Sequence, residues 1–204
     1  GRFVHGRTGE PVRFWAVNGP PSDLKGDALK ACARRLAARG VNLVRVHGAV
    51  FEEKTGGLRP EKVAHLAEVV EAMKAEGIYT HLSIYFPLWF KPQAGLSWLE
   101  GYDGSKHPFA ALLFNPGFQK QWEIWWRAVL EARTASGVRL AEEPALFGVE
   151  IQNEDSFFCW TFNENNLPAP QLEMLERQFG AWLVRKHGSL DQALAAWGGT
   201  KHAR

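Results

Sequence analysis

The chain has 204 residues, 46% of them hydrophobic and 23% charged, with a formal net charge of +2. This is long enough to bury a sizeable core, and with a near-neutral balance and no basic block or acidic tail, nothing in the charge points to nucleic acid or a membrane surface as partner. No apolar run reaches the roughly 18 residues of a membrane-spanning helix. The two cysteines, Cys32 and Cys159, are too few for a disulfide framework and too far apart for a metal knuckle.

Nine tryptophans and thirteen phenylalanines leave two readings, a large aromatic core or a surface that stacks flat ligands such as sugar rings. Composition by itself favours the core. The start, Gly1-Arg2-Phe3-Val4, lacks the charged-then-apolar pattern of a leader peptide, which says little about compartment.

In chain order, Phe3-Val4 and Val12-Arg13-Phe14 flank the turn residues Arg7-Thr8-Gly9-Glu10 as a hairpin. The second arm continues through Trp15-Ala16-Val17-Asn18 as a first strand, ended by Gly19-Pro20-Pro21. A helix from about Asp27 to Arg39 sets Leu29, Cys32, Ala33 and Leu36 at helical spacing and stops at Gly40. Val41 to His47 reads as the second strand. A helix opening at Pro60 carries Val63, Leu66, Ala67, Val70 and Met73 on one face and ends at Gly77. The third strand is Ile78 to Tyr85, and a long irregular stretch rich in Trp, Gly and Pro runs from Phe86 to Phe114. A connection of that length is usually functional or disordered.

Asn115-Pro116 caps the next helix, with Phe118, Trp122, Trp125 and Val129 along one side. Leu146 to Gln152 is the fourth strand. Pro170 opens a helix carrying Leu172, Leu175, Phe179, Trp182 and Leu183 up to Gly188, and Ser189 caps a short final helix. Strand and helix alternate without repeat or linker, so residues 1–204 read as one α/β domain with a parallel sheet. A full (β/α)₈ TIM barrel takes about 250 residues; four strand–helix units are the N-terminal half of one.

Side chains alternate between the faces of a strand. Leu43, Arg45 and His47 share one face, as do His81, Ser83 and Tyr85, and then Glu150, Gln152 and Glu154. Val44, Val46, Leu82, Ile84, Val149 and Ile151 take the other. In a barrel the apolar set packs under the helices and the polar set points inward, reaching the C-terminal strand ends where such enzymes carry their chemistry. Two readings stand for Arg45 and Glu150: an ion pair that holds the interior, or site residues. His81 reads as a hydrogen-bonded core histidine, whereas His47, at a strand end, reads as a substrate contact. Trp89, Trp98 and Trp160 fall in loops at the same end. Each either stacks a sugar ring or anchors its loop.

Phe147-Gly148-Val149-Glu150-Ile151-Gln152-Asn153-Glu154 is the sharpest motif. An Asn-Glu pair closing a barrel strand resembles clan A of the retaining glycoside hydrolases. Trp15-Ala16-Val17-Asn18-Gly19 and Gly40-Val41-Asn42-Leu43-Val44-Arg45 resemble the first and second strands of family 5. Phe179 to Leu183, with Gly188-Ser189-Leu190-Asp191 through Ala196-Trp197-Gly198, resembles the region after the acid/base in family 42 β-galactosidases. At the end of the third strand this chain has Tyr85 where family 5 usually has histidine.

The resemblance implies that Glu154 is the acid/base of a β-glycoside hydrolase, with Asn153 bonding the sugar 2-hydroxyl. Arg45 stands at the active-site arginine and would hold the nucleophile ionised. Asn18, His47, Tyr85, Trp89 and Trp160 would line the carbohydrate substrate. It also implies a nucleophile after a seventh strand that this chain does not contain, so its partner is the C-terminal half of the barrel, in a secreted or periplasmic setting.

Retaining hydrolysis places its two carboxyl groups about 5–5.5 Å apart, and burial together with a neighbouring negative charge keeps the acid protonated. Glu142 and Glu143 precede the fourth strand and so lie at the wrong end. A non-catalytic carbohydrate-binding barrel or degenerate fragment is the alternative. A nucleotide-binding protein lacks support, since no GxGxxG or GxxxxGK[ST] occurs. No HExxH or similar spacing implies a metal, and no cofactor is called for. A half barrel by itself leaves its first and fourth strands as open edges, so this chain alone is expected to be inactive and to self-associate.

Overall fold

The structure is a computed structural model that describes residues 1–158 and 162–199. Four strands, β1 (Ala16–Asn18), β2 (Leu43–His47), β3 (Tyr79–Ser83) and β4 (Leu146–Glu150), form one sheet in the order β1-β2-β3-β4. Every pair is parallel. Helix α1 (Gly26–Ala37) connects β1 to β2, and α2 (Pro60–Lys74) connects β2 to β3. Between β3 and β4 come a 3₁₀ turn at Pro87–Trp89, the single turn α3 (Ala111–Phe114) and α4 (Pro116–Glu131). The chain goes on through α5 (Ala169–His187) and α6 (Leu190–Ala196).

The helices follow from local chemistry. Pro60 and Pro116 open α2 and α4, where a missing N–H costs nothing. The Asn115 side chain accepts the Phe118 N–H at 3.0 Å, and Ser189 Oγ accepts that of Gln192 at 3.1 Å. Helix α5 ends at Gly188, whose φ of 88° suits a residue without Cβ.

One face of the sheet is covered by two apolar clusters. Leu29 and Ala33 of α1 meet Val41, Val44, Val69, Met73 and Ile78. The larger cluster gathers Leu82, Ile84, Phe90, Phe118, Trp125 and Val129 under α2 and α4. Val69 and Val70, adjacent on α2, belong to different clusters, so α2 is apolar over a wide arc. Trp125 is fully buried, stacks on Phe51 at 3.9 Å and donates from Nε1 to the Gly56 carbonyl at 2.8 Å. Gly56 has a φ of 68°, and a Cβ there would lie 2.9 Å from the Trp98 ring, so only glycine lets the two indoles close over this turn.

All four strands are shorter than their sequence pattern suggests. The Asn42 side chain accepts the Trp15 N–H and donates to the Arg13 carbonyl, both at 2.8 Å. The Asn42 side chain thus ties Arg13 and Trp15 to the segment just before β2, and β1 and β2 begin at Ala16 and Leu43. Strands β3 and β4 end at Ser83 and Glu150, not Tyr85 and Gln152. The N-terminal hairpin reduces to one bridge, Val4 to Pro11, because proline offers no N–H to extend it. Its Phe3 joins Phe14 and Phe147, with ring centroids 4.9–5.9 Å apart. These rings, with Tyr79 against Phe14, make an aromatic floor at the N-terminal end of the sheet.

Candidate functional site

Parallel register sets the inner-face residues in rows. Asn18, Arg45, His81 and Gly148 pair across the four strands, and one step nearer the C-terminal ends His47, Ser83 and Glu150 pair across three. A bulge beside Thr80 and His81 inserts Phe147 into β4. It turns Phe147 toward the floor and returns Glu150 to the inner row.

Arg45 is the hub of these rows. Its Nε donates to Glu150 Oε2 at 3.1 Å and its Nη2 closes the ion pair with the same oxygen. Nη2 also donates to Asn153 Oδ1 at 3.0 Å and makes a longer contact to Ser83 Oγ at 3.4 Å, while Nη1 reaches Asn18 Oδ1 at 3.4 Å. One guanidinium, with donors in a fixed fork, thereby joins residues from all four strands or their ends. Burial works to raise the Glu150 carboxyl, but hydrogen bonds from Ser83 and Arg45 and the Arg45 charge outweigh it, and the group is held below its ordinary value. His47 Nδ1 lies 2.8 Å from Ser83 Oγ. Burial, then the positive charge of Arg45, pushes His47 down against the opposing pull of Glu150 and Glu154. Burial likewise lowers His81.

Beyond β4 the chain makes a tight turn. The Asn153 N–H donates to the Tyr85 carbonyl at 3.3 Å. With its side-chain oxygen committed to Arg45, Asn153 keeps its Nδ2 as the donor end. Glu154 follows at a φ of 45° and is exposed. A left-handed conformation at a non-glycine residue costs about 1 kcal/mol or more and persists where surrounding contacts enforce it. Those contacts come from Asp155. Its two carboxylate oxygens each accept the Ala110 N–H at 2.9 Å, and Oδ2 accepts Gln152 Nε2 at 2.7 Å.

The structure brings Asn18, Arg45, His47 and Asn153 together, with Glu154 next in the chain. It corrects others among the sequence-predicted residues. Tyr85 does not face this group: it is fully buried, its ring against Phe118 and Trp125. The strand pleat ends at Ser83, so alternation no longer governs Tyr85, and the apolar ring turns into the core. Gln152 likewise leaves the pleat for Asp155. Trp89 is half-buried, its ring 4.2 Å from that of His47. Trp98 stacks on Phe90 at 5.7 Å and packs on Phe118, which anchors its loop. Trp160 lies outside the described residues. Glu143 sits at the far end of β4, bonded to Lys74 at 2.9 Å and to the Ala145 N–H. Ser83 and Asp155 carry more of the site than sequence reasoning gave them. The inward parity of Ser83 and the polar pair Gln152 and Asp155, three residues apart in a turn, were the available signals.

A cavity of about 340 Å³ opens beside the strand ends, walled in part by Asn18, Arg45, His47, Lys62 and His65. Among the described residues no group of three or more His, Cys, Asp or Glu side chains gathers as a metal site, and no helix is long and apolar enough to cross a membrane. The arrangement offers hydrogen-bond donors from Arg45 and Asn153, an aromatic face at Trp89 and an exposed carboxyl at Glu154, a set suited to a polyhydroxylated ligand.

No protein-family model and no curated protein matches the chain. Solved structures do. An exo-β-1,4-mannosidase from Opitutaceae bacterium strain TAV5 superposes with a TM-score of 0.53 at 15% identity, over 96% of this chain and 32% of that one. A GH5_18 protein from Bifidobacterium longum subsp. longum gives 0.50 at 16% identity, over 79% and 35%. The fold is the N-terminal part of a (β/α)₈ barrel. This part-barrel spans about a third of the length of the structures it matches, and its C-terminal strand ends, where barrel enzymes hold their chemistry, are the ends that carry Asn18, His47, Asn153 and Glu154.

Proposed function

We propose that this chain carries the acid/base side of a retaining β-glycosidase centre. Glu154 is the general acid that protonates the leaving oxygen and then the base that activates water. Asn153 donates from Nδ2 to the sugar 2-hydroxyl, and Trp89 offers its ring to the sugar. Arg45 orients Asn153 and supplies the positive charge that keeps a nucleophilic carboxylate ionised. That nucleophile comes from the rest of the barrel, outside these residues. The observation that carries the reading is the Arg45–Asn153 bond. It fixes the donor end of the amide immediately before an exposed glutamate at the mouth of the barrel. Likeness to a structure described as an exo-β-1,4-mannosidase supports β-mannosides as the first substrates to try.

The test uses the full-length natural protein and two β-mannosides, one with a good aryl leaving group and one with a poor alkyl group. Glu154→Gln should lower kcat/KM on the alkyl substrate by about 10²–10⁴-fold and much less on the aryl one, because only a poor leaving group needs the proton. Equal loss on both removes Glu154 from the acid role. A wild-type protein that binds such glycosides and cleaves neither is a carbohydrate-binding barrel instead.

A further inference from the structure

The described residues hold two non-glycine positions with left-handed backbone, Ala110 (φ 57°) and Glu154 (φ 45°). They belong to different connections, one between β3 and β4 and one after β4. One side chain joins them: the Asp155 carboxylate takes the Ala110 N–H on both oxygens at 2.9 Å. The same carboxylate accepts Gln152 Nε2 at 2.7 Å, closing a four-residue turn around Asn153 and Glu154. Asn153 is pinned from the other side by Arg45 and the Tyr85 carbonyl. The two residues flanking Glu154, Asn153 and Asp155, are thus each tied to another element, while its own side chain stays exposed. The clamp is part-buried. The buried hydroxyls of Tyr85 and Tyr102 lie within electrostatic reach of Asp155, and burial followed by that negative charge pushes both upward. A charge-assisted hydrogen bond is stronger in such surroundings than in water.

We infer that Asp155 is a positioning residue: it clamps the Glu154 turn to the loop at Ala110, so that the Glu154 carboxyl is presented from a backbone it would not adopt alone. The functional half of this inference rests on the glycosidase reading above; the clamp itself does not.

The experiment compares wild type, Asp155→Ala and Asp155→Asn in the full-length natural protein, with two readouts. Hydrogen exchange at the Ala110 amide should quicken about tenfold or more in Asp155→Ala while amides inside α4 keep their rates. Asp155→Asn retains one acceptor oxygen and should fall between. On the alkyl β-mannoside, kcat should drop about tenfold or more with KM within about twofold, and asparagine should restore part of it. Unchanged exchange at Ala110 in both variants overturns the clamp. Faster exchange with undiminished kcat, where Glu154→Gln abolishes turnover, overturns the positioning role. If the wild-type protein cleaves no glycoside, the glycosidase reading fails and the exchange result alone decides the clamp. Should Asp155→Ala not fold, Asp155→Asn decides both questions by the same two measurements.

Discussion

The Arg45 guanidinium donates a 3.0 Å hydrogen bond to the side-chain oxygen of Asn153, 108 residues further along the chain. The bond ties the middle of β2 to the turn after β4 across the intervening β3. It shares its guanidinium with the ion pair to Glu150, so the charge that stabilises the inner face also orients the site amide.

Arg45→Met removes the cation from a Glu150 side chain that is only 27% exposed. Leaving a half-buried carboxylate without its partner costs about 2 kcal/mol, read as a lower urea midpoint at pH 7. The double variant Arg45→Met/Glu150→Leu should recover part of the loss, since both charges are then gone. A single variant within about 0.5 kcal/mol of wild type would mean that the pair contributes little to folding.

Acid should remove this contribution in a defined window. Glu150 is depressed in the folded state, so its stabilisation is complete above its ordinary value of about 4.5 and is lost as pH falls through the lower folded value. Glu150→Gln is therefore expected to be less stable than wild type at pH 7, with the gap closing below about pH 4.5. His47 and His81 are also depressed. The folded protein resists protonating them, so stability begins to fall below about pH 6.5. His81→Asn should flatten that first decline in a series of urea titrations.

Glu154→Gly is predicted to stabilise the fold by about 0.5–1 kcal/mol, since glycine accepts the positive φ without strain, while ending hydrolysis. Thermal melts beside activity assays check both halves. A destabilised Glu154→Gly would show that the side chain contributes more to folding than its backbone costs.

Trp89 and Trp98 should respond oppositely. Trp89→Ala, which opens the half-buried face beside His47 and Phe86, should weaken sugar binding about three- to tenfold and lower the melting temperature far less than Trp98→Ala. Trp98→Ala takes a ring from between Phe90 and Phe118 and should cost about 3 kcal/mol of stability. Calorimetric titration and denaturation of each variant separate the two.

The 204-residue chain expressed alone should self-associate and lack hydrolase activity. The stacked rings of Phe179 and Trp182 on α5 and of Trp197 just after α6 are each at least 40% exposed, and among the described residues β1 and β4 each have one unpaired edge. Sedimentation velocity across a concentration series checks this; a monomer at every concentration contradicts it.

The parallel sheet, the order of its helices and the caps at Asn115, Gly188 and Ser189 were legible in the sequence, because period, proline, glycine and capping side chains act within a few residues. So was the inward parity of Arg45, His47 and Ser83, which alternation within a regular strand dictates; that of Glu150 also depends on the bulge at Phe147. Tertiary structure decided what lies past the strand ends. There the pleat stops and each residue answers to distant partners: Tyr85 turns into a ring cluster, Trp98 under its loop and Gln152 toward Asp155. The left-handed backbone of Glu154 is likewise held by a carboxylate bonded to Ala110, in a connection 45 residues earlier than Asp155. No local rule reports such a contact, since its stabilisation exists only once both loops have been brought together.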